Sequence, residues 1–433
     1  YFASLTKSHP GITEVVKKDK LQVDVLGIDF NCLIHRYLKD DDPYNSVLDA
    51  FEYILNTVCK ARKVIIALDG LVPYAKIVQQ RYRRMRLKET TGVFDRNQIS
   101  PDTPYMRELE KLIAIRFPYA IISGTTIPGE GEHKLFLELK KIPETERESV
   151  CIYGLDADLI LICLKNHKVS TVYGMKLLRE SAEFNDPKLK HAEFATLSIS
   201  KLLLQIPIDI TQYIALSILC FGNDFMPNLG MFSLREDGYD RAIHLYMECR
   251  KPNLTTFEGR RTFIKHAAAK EEFVLRERIR LRKRPEEKSL IKDYSLFSKK
   301  YGLHVLDGVT DMNPVVDAYW KTFHWTMYYF FNNAPMNWDW IYPYVDAPLV
   351  SDIYKRKEIS YKQIRPLNFT ITQQLQCIMP KTSLRLAKRP IKFLDEIHAE
   401  TRNTWLKRHE WEMKPRISIP WHPTESLTSV FPL

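Results

Sequence analysis

Residues 150–160 read VCIYGLDADLI. An apolar run of strand length, Val150–Gly154, leads into two aspartates, Asp156 and Asp158, separated by one residue. The same pattern occurs twice upstream. Val23–Ile28 runs into Asp29 within LGIDFN, and Lys63–Leu68 runs into Asp69 within IIALDG. Further apolar runs at Ala120–Ser123 and Val169–Tyr173 read as strands. Between them, Val47–Lys60, Tyr74–Lys88, Tyr105–Arg116 and Glu132–Lys140 have the amphipathic spacing of helices. Strands alternating with helices predict an α/β fold with a mostly parallel central sheet flanked by helices. In such open sheets ligands bind beyond the carboxyl ends of the strands, which is where these aspartates fall.

The chain has 433 residues, 45% hydrophobic and 27% charged. Those are globular values and exclude a disordered or low-complexity chain. The longest apolar runs, such as Ile214–Phe221, are too short for a membrane span, so no membrane partner is expected. Lys and Arg exceed Asp and Glu by 64 to 53, for a net charge of +11, which points weakly to a polyanion. The seven cysteines form no C-x-x-C pair and sit in apolar contexts. They read as buried thiols of a reducing compartment, and neither as disulfides nor as a zinc site. The pattern changes near residue 240. Residues 1–240 read as a catalytic α/β core and 241–433 as a second, appended region. That region contains a basic helical pattern at Arg260–Arg284, an aromatic-rich helix at Asn313–Phe331 and an irregular aromatic arm at Pro335–Pro348, packed on the core. The opening residue is Tyr1, so the natural start is expected upstream.

The acids form a set. Glu130 and Glu132 lie in IPGEGEHK, and Asp224 lies in FGNDFMP after the helical stretch Ile210–Phe221. With Asp29, Asp69, Asp156 and Asp158 they make seven carboxylates, six of them after an apolar strand or in its connecting loop. Gathered at one end of a sheet, they would repel strongly without cations between them. Hard ions such as Mg²⁺ take oxygen ligands. Two of them about 3.5–4 Å apart can clamp the attacking and leaving oxygens of a phosphodiester displacement. An acid-x-acid pair in extended backbone would place both side chains on one side. Any one of these residues alone reads equally well as a helix cap or a turn residue; the metal reading rests on the whole set.

Directly after Asp69 comes GLVPYAKIVQQRYRRMR, residues 70–86. In a helix opening near Pro73, Lys76, Gln80, Arg83 and Arg84 fall at i, i+4, i+7 and i+8, one face of a 3.6-residue period. This cationic face, one turn from Asp69, is suited to hold a phosphate next to the scissile one. Arg81 and Arg86 lie off the face and are expected in solvent. The run RERIRLRKR, Arg276–Arg284, reads first as a solvated helix and only second as a guide for a single-stranded polyanion.

Together these segments resemble the 5′→3′ exoribonucleases of the Xrn family. The resemblance is carried, in order, by YFASLTKSHP, GIDFNCLIH, LDGLVPYAKIVQQRYRR, FDRNQISPDTPYM, IPGEGEHK, IYGLDADLI, LLRE, FGNDFMPNL and WTMYYFFNNAPMNWDWIYPYVDAP. It implies a core of the PIN or flap-nuclease kind. It also implies that the seven acids bind two Mg²⁺ ions, with Mn²⁺ as a substitute, and that Lys76, Gln80, Arg83 and Arg84 form a pocket for a 5′-monophosphate. His35 would stack on the first base, with Trp338 or Trp340 on its other side, Trp338 being preferred. The implied activity is processive hydrolysis of 5′-monophosphorylated single-stranded RNA, releasing nucleoside 5′-monophosphates. The implied setting is a cytoplasmic monomer in mRNA decay, acting after a decapping-enzyme partner. Family enzymes are longer and often carry an insert where this chain has the short Arg86–Phe94, which fits a compact member such as a viral one. Two rival readings are a flap-endonuclease-like 5′ DNA nuclease and a non-catalytic RNA-binding scaffold. The first lacks its glycine-rich hairpin after Asp224, and the second lacks any loss of acids.

Overall fold

β2 (Leu21–Asp29) is central to the sheet and buried along nearly its whole length. β3 (Cys59–Ala67) and β5 (Ser149–Tyr153) flank it, both parallel to it. A strand covered on both faces needs apolar side chains at successive positions, not alternate ones, which accounts for the run VDVLGI. The computed structural model describes residues 1–387 apart from 19–20, 87–93, 171–173, 185–186, 190, 282–291, 305, 307 and 345. Within these residues β4 (Ile121–Ser123) and β6 (Gly174–Glu180) extend the parallel array. β7 (Phe194–Ser198) and β1 (Thr13–Val15) then close one edge antiparallel, giving the order β1-β7-β6-β5-β2-β3-β4. The expected mostly parallel α/β sheet is present; the two antiparallel edge strands are additions to it.

Two expected elements differ. The strand expected over Val169–Tyr173 is not seen at its first two residues: Val169 ends a 3₁₀ turn (His167–Val169) and Ser170 follows it, residues 171–173 lie outside the described residues, and the described strand starts at Gly174 with LLRE at its end. Arg147 donates to the Val169 carbonyl and the Ser170 hydroxyl donates to Glu148, so these residues are tied to the preceding loop and not to a ladder. The helix expected over Val47–Lys60 stops at Tyr53 as α3 (Asn45–Tyr53). A wider π-helical turn, Ile54–Val58, follows, and Cys59 and Lys60 already belong to β3. The other expected helices hold to within a turn over the described residues: α4 (Tyr74–Arg86), α5 (Pro104–Arg116), α6 (Gly131–Leu139), α9 (Ile210–Phe221), α11 (Phe257–Leu281) and α13 (Asn313–Asn332); the expected ends of α4 at Lys88 and α11 at Arg284 lie outside them.

Successive strand residues face opposite sides. Val25, Ile65, Ala67, Ile152 and Leu177 pack with Leu135, Ile160, Leu216 and Trp325 on one face. Leu26, Ile28, Ile66, Tyr153 and Leu178 pack with Leu33, Phe51 and Leu109 on the other. Parity places Asp29 on the first face, at the carboxyl end of β2. That first cluster runs from Phe2 to Tyr361, so residues from both sides of position 240 share one apolar mass. A third cluster joins Tyr74, Ile77 and Val78 of α4 to Leu375 and Ile378 of α15 (Ile371–Ile378). Arg260 of α11 reaches Glu358 at 2.6 Å, both side chains buried, and the His324 ring meets the same carboxylate at 2.8 Å. The seven cysteines are free thiols, six of them buried. Among the described residues no single helix is long and apolar enough to cross a membrane.

Candidate active site

Asp29 is the last residue of β2, and Asp69 follows β3 by two positions. Glu130 caps α6 and Glu132 lies in its first turn. Asp156 is in the loop after β5, Asp158 is the first residue of α7 (Asp158–Lys165), and Asp224 follows α9. The acid-x-acid pairs are therefore not in extended backbone. Ala157 is helical, at φ −72° and ψ −30°, and Gly131 already opens a helix. Each pair is held at a loop-to-helix transition, whose free N–H groups favour nearby carboxylates.

Packing brings these ends together. The Gly131 N–H donates to Asp69 Oδ1 at 2.7 Å. A Cβ on Gly131 would stand 3.0 Å from Asp29 Oδ1 and 3.2 Å from the Ala67 carbonyl, so a larger residue would push the GEGEHK segment or the Asp29 side chain aside by a few tenths of an ångström. Asn31 Oδ1 accepts the Asp69 N–H at 2.9 Å, and the Cys32 thiol donates to Asp29 Oδ2 at 2.9 Å. The Asp224 N–H points at Asp158 Oδ2, 3.4 Å away. Gly222, with φ +67°, turns the chain out of α9 into this loop. Beneath, the buried Lys134 ammonium donates to the carbonyls of Leu68, Gly124 and Ile127 at 2.6–3.0 Å. It fastens the β3, β4 and GEGEHK loops to one another.

The electrostatics show a shortage of positive charge. Burial, with Asp69 next, pushes the Asp29 carboxyl up to about 7. Burial and then Glu130 raise Asp69; burial and then Asp224 raise Asp156. Burial, with Asp156 and Glu130, holds Glu132 well above its usual range, and burial with Asp224 and Asp156 does so for Asp158. Asp224 is the exception. Burial alone would raise it, but Lys76, Gln79 and Arg83 outweigh that and hold it low. The Lys76 ammonium lies 2.8 Å from Glu130 Oε2 and 2.6 Å from Asp224 Oδ2. These acids overcome its burial and keep it charged well above the ordinary lysine range.

As placed, no three of these side chains converge on one point closely enough to grip an ion, among the described residues; Lys76 stands between two of them. The donor set nevertheless suits a hard cation. It is all carboxylate oxygen, and Asp29 Oδ1 and Glu132 Oε2 are buried with no hydrogen-bond partner. A buried anionic oxygen without a donor is costly, and a cation would satisfy it.

The cationic face divides. Lys76 is buried among the acids. Gln80 is half-buried, with Oε1 unpartnered. Arg83 is exposed, yet close enough to oppose the rise of Asp156 and to help hold Asp224 low. Arg84 turns inward and donates to the carbonyls of Asn97 and Ile99 at 3.1 Å each; burial, with Arg83, lowers it to about 10. Arg81, expected in solvent, is only 3% exposed and donates to the Cys377 carbonyl at 3.0 Å, because α15 covers that side of α4. The Arg86 side chain lies outside the described residues.

His35 is exposed on α2 (Phe30–Tyr37), but surrounding protein and then Arg83, Arg84 and Arg96 lower its pKa to about 4, so the ring is neutral. Trp338 packs with the α4 cluster and Phe369, and its carbonyl accepts the Tyr74 N–H at 2.8 Å. Trp340 donates to Thr322 Oγ1 at 3.1 Å and packs on Tyr361. No ring contact joins His35 to either tryptophan among the described residues. Trp338 is the one tied to the cationic helix. In the basic run, Arg276, Arg278 and Arg280 pair with Glu272, Glu236 and Glu277, while 282–284 lie outside the described residues.

Sequence reasoning overlooked Lys134 and Tyr329. Lys134 is within GEGEHK, where a lysine beside two acids could have been read as an internal rivet. Tyr329 lies within WTMYYFFN and donates to Glu130 Oε1 at 2.7 Å; nothing local marks it.

The chain matches the family described as XRN 5′-3′ exonuclease N-terminus over residues 1–92 and 86–181, and that described as Xrn1 helical domain over 292–394. It is 24% identical to a human 5′-3′ exoribonuclease 1, over 89% of this chain and 30% of that protein. It is 25% identical to 5′-3′ exoribonuclease 1 of Saccharomyces cerevisiae, over 57% and 20%, and 29% identical to 5′-3′ exoribonuclease 2 of Candida glabrata, over 54% and 31%. The chain thus spans about a third or less of the length of these relatives. Among solved structures it is similar to the flap endonuclease-1 of Methanococcus jannaschii, at 15% identity and a TM-score of 0.34, covering 55% of this chain and 74% of that one. It is also similar to the catalytic core of Rad2 in complex with DNA substrate, at 13% identity and 0.40, covering 77% and 95%. The two family matches bracket the acid-bearing strand ends and the aromatic helix that reaches them, and on them the chain belongs to the Xrn family of 5′-3′ exonucleases.

Proposed function

We propose that this chain is a metal-dependent, processive 5′→3′ exoribonuclease acting on single-stranded RNA with a 5′-monophosphate. The observation that carries the proposal is the meeting of seven carboxylates from five separate segments at one end of the sheet, beside the exposed Arg83. The relatives' printed activity agrees with it.

Asp29, Asp69, Glu130, Glu132, Asp156, Asp158 and Asp224 would hold two Mg²⁺ ions, with Mn²⁺ as a substitute. Such ions supply a nucleophile at neutral pH and stabilise charge on the leaving oxygen. Arg83, with Gln80 beside it, receives the terminal phosphate; a guanidinium fork pairs with phosphate oxygens in charge-assisted bonds. Lys76 holds Glu130 and Asp224 together in the absence of substrate and faces the same phosphate. Arg84 acts from within, fixing the end of α4. A neutral His35 offers a flat surface for a base, and Trp338 is the proposed opposite face; stacking is worth about 1–3 kcal/mol per base and tolerates any sequence. After each cut the next phosphate becomes the 5′ end and enters the same pocket, which makes the reaction stepwise. The proposed setting is cytoplasmic decay of decapped transcripts by a monomer.

The test is a rate comparison on one RNA carrying a 5′-monophosphate, hydroxyl, triphosphate or cap, and on the matching 5′-phosphorylated DNA, with and without Mg²⁺. Mg²⁺-dependent release of mononucleotides from the monophosphate RNA is expected. Equal rates on all ends, or cleavage of circular RNA at a similar rate, would favour an endonuclease instead.

A further inference from the structure

Tyr329 lies on α13, in the second region, 199 residues beyond Glu130. It is 1% exposed, and its hydroxyl donates to Glu130 Oε1 at 2.7 Å. The other Glu130 oxygen faces Lys76. The Tyr329 ring is itself held on two sides. It stacks on His133 at 4.1 Å and 27°, and Phe225, the neighbour of Asp224, meets it edge-on at 5.6 Å. His133 is tied back to Asn333 at 3.2 Å, and Asn333, in the left-handed conformation at the end of α13, bonds the Tyr329 carbonyl at 2.9 Å. The last turn of α13 is thus locked to the first turn of α6.

From this geometry we infer that Tyr329 is a positioning residue for Glu130, and that α13 thereby sets the orientation of the acidic site from outside the sheet. The inference rests on the nuclease reading above. A phenol O–H is a hydrogen-bond donor, and here its acceptor is a Glu130 carboxylate oxygen. Unlike Lys76, it is uncharged and does not compete with a cation. A carboxylate with one oxygen fixed by an O–H presents its remaining lone pairs in one direction, and losing such a partner typically weakens a metal site 10–100-fold. The same ring steadies Phe225, so acids on two unrelated loops share one support.

The experiment compares Tyr329→Phe with Trp320→Phe in the full chain. Trp320 is equally buried on α13 but packs on Phe323, away from the acids. Tyr329→Phe is expected to weaken Mn²⁺ binding, measured without RNA, by about 10–100-fold, and to lower kcat similarly with KM unchanged. Trp320→Phe should lower stability and leave both unchanged. A double-mutant unfolding cycle of Tyr329→Phe with Glu130→Gln should show coupling of about tenfold or more in the unfolding constant. Wild-type Mn²⁺ affinity and kcat in Tyr329→Phe, or an additive cycle, would overturn the inference. A wild-type protein with neither Mn²⁺ binding nor nuclease activity would sink the proposed function, and the positioning role with it, before any variant is made.

Discussion

The Lys76 ammonium lies 2.6 Å from a carboxylate oxygen of Asp224, its partner 148 residues further along the chain. A helix that follows β3 and a loop that follows α9 are thereby joined through a buried ion pair. Lys76→Met removes the cation and leaves Glu130 and Asp224 without it. Breaking one side of a buried pair costs about 3–5 kcal/mol, and urea unfolding of chelator-treated protein should read a loss of that size. Mg²⁺ should then restore more stability to the variant than to wild type, because it meets the same charge deficit. A loss below about 1 kcal/mol, the range of a surface pair, would show that Lys76 does not neutralise the site.

Asp158 carries the opposite expectation. Burial, Asp224 and Asp156 disfavour its charge, so Asp158→Asn removes a repelled carboxylate. Sites built for function are often relieved by such changes. The metal-free variant should be more stable than wild type by about 1–2 kcal/mol, while cleavage falls by about 10²-fold or more. RNA binding in chelator should survive, since no basic side chain is altered. Unfolding curves, filter binding and turnover check the three parts separately. Wild-type turnover in Mg²⁺ would remove Asp158 from the ligand set.

What could be read in advance follows the range of each interaction. An apolar run ending in Asp marks a covered strand and its carboxyl end together, so Asp29, Asp69 and Asp156 were legible from a few residues each. Gly131 could be seen as part of a motif, but its reason, that an added Cβ would stand 3.0 Å from Asp29 Oδ1, is tertiary. Helical periodicity placed Arg83 and Arg84 on one arc and could not say which one turns inward. Arg81 was misjudged because its cover, α15, lies 296 residues away at Cys377. β1 has three residues, too few for any pattern to appear.

A pH effect is expected far from the acids. Glu271 of α11 is 1% exposed and accepts the N–H groups of Val350 and Ser351 at 2.7 and 2.8 Å, capping α14 (Val350–Lys355). Burial outweighs those bonds and pushes its carboxyl up to about 6, from 4.5. The folded state therefore holds this proton to a higher pH than the unfolded state does. The favourable contribution is complete below 4.5 and is lost as pH rises through about 6, a change of roughly 2 kcal/mol. Glu271→Gln removes that slope. The stability of wild type relative to the variant, from urea unfolding between these pH values, should fall as pH rises; a constant difference would refute the assignment.

Arg83 and Arg84 are adjacent in sequence and identical in charge, yet the fold gives them different work. Arg84 donates to the Asn97 and Ile99 carbonyls; in Arg84→Ala both lose this donor, and Asn97 keeps only the Ser100 hydroxyl. Its loss should cost about 2–4 kcal/mol. Arg83 is exposed, so Arg83→Ala should change stability by no more than about 0.5 kcal/mol. A terminal monophosphate brings roughly two negative charges at neutral pH, and the exposed guanidinium is the one free to meet them. Arg83→Ala should therefore slow the monophosphate RNA toward the rate of the hydroxyl RNA and flatten the preference. Arg83→Lys, which keeps the charge and loses the fork, should fall between. Arg84→Ala, assayed well below its unfolding midpoint, should keep the ratio of the two rates. Collapse of that ratio in Arg84→Ala, with Arg83→Ala unaffected, would move the phosphate to the inner side of α4.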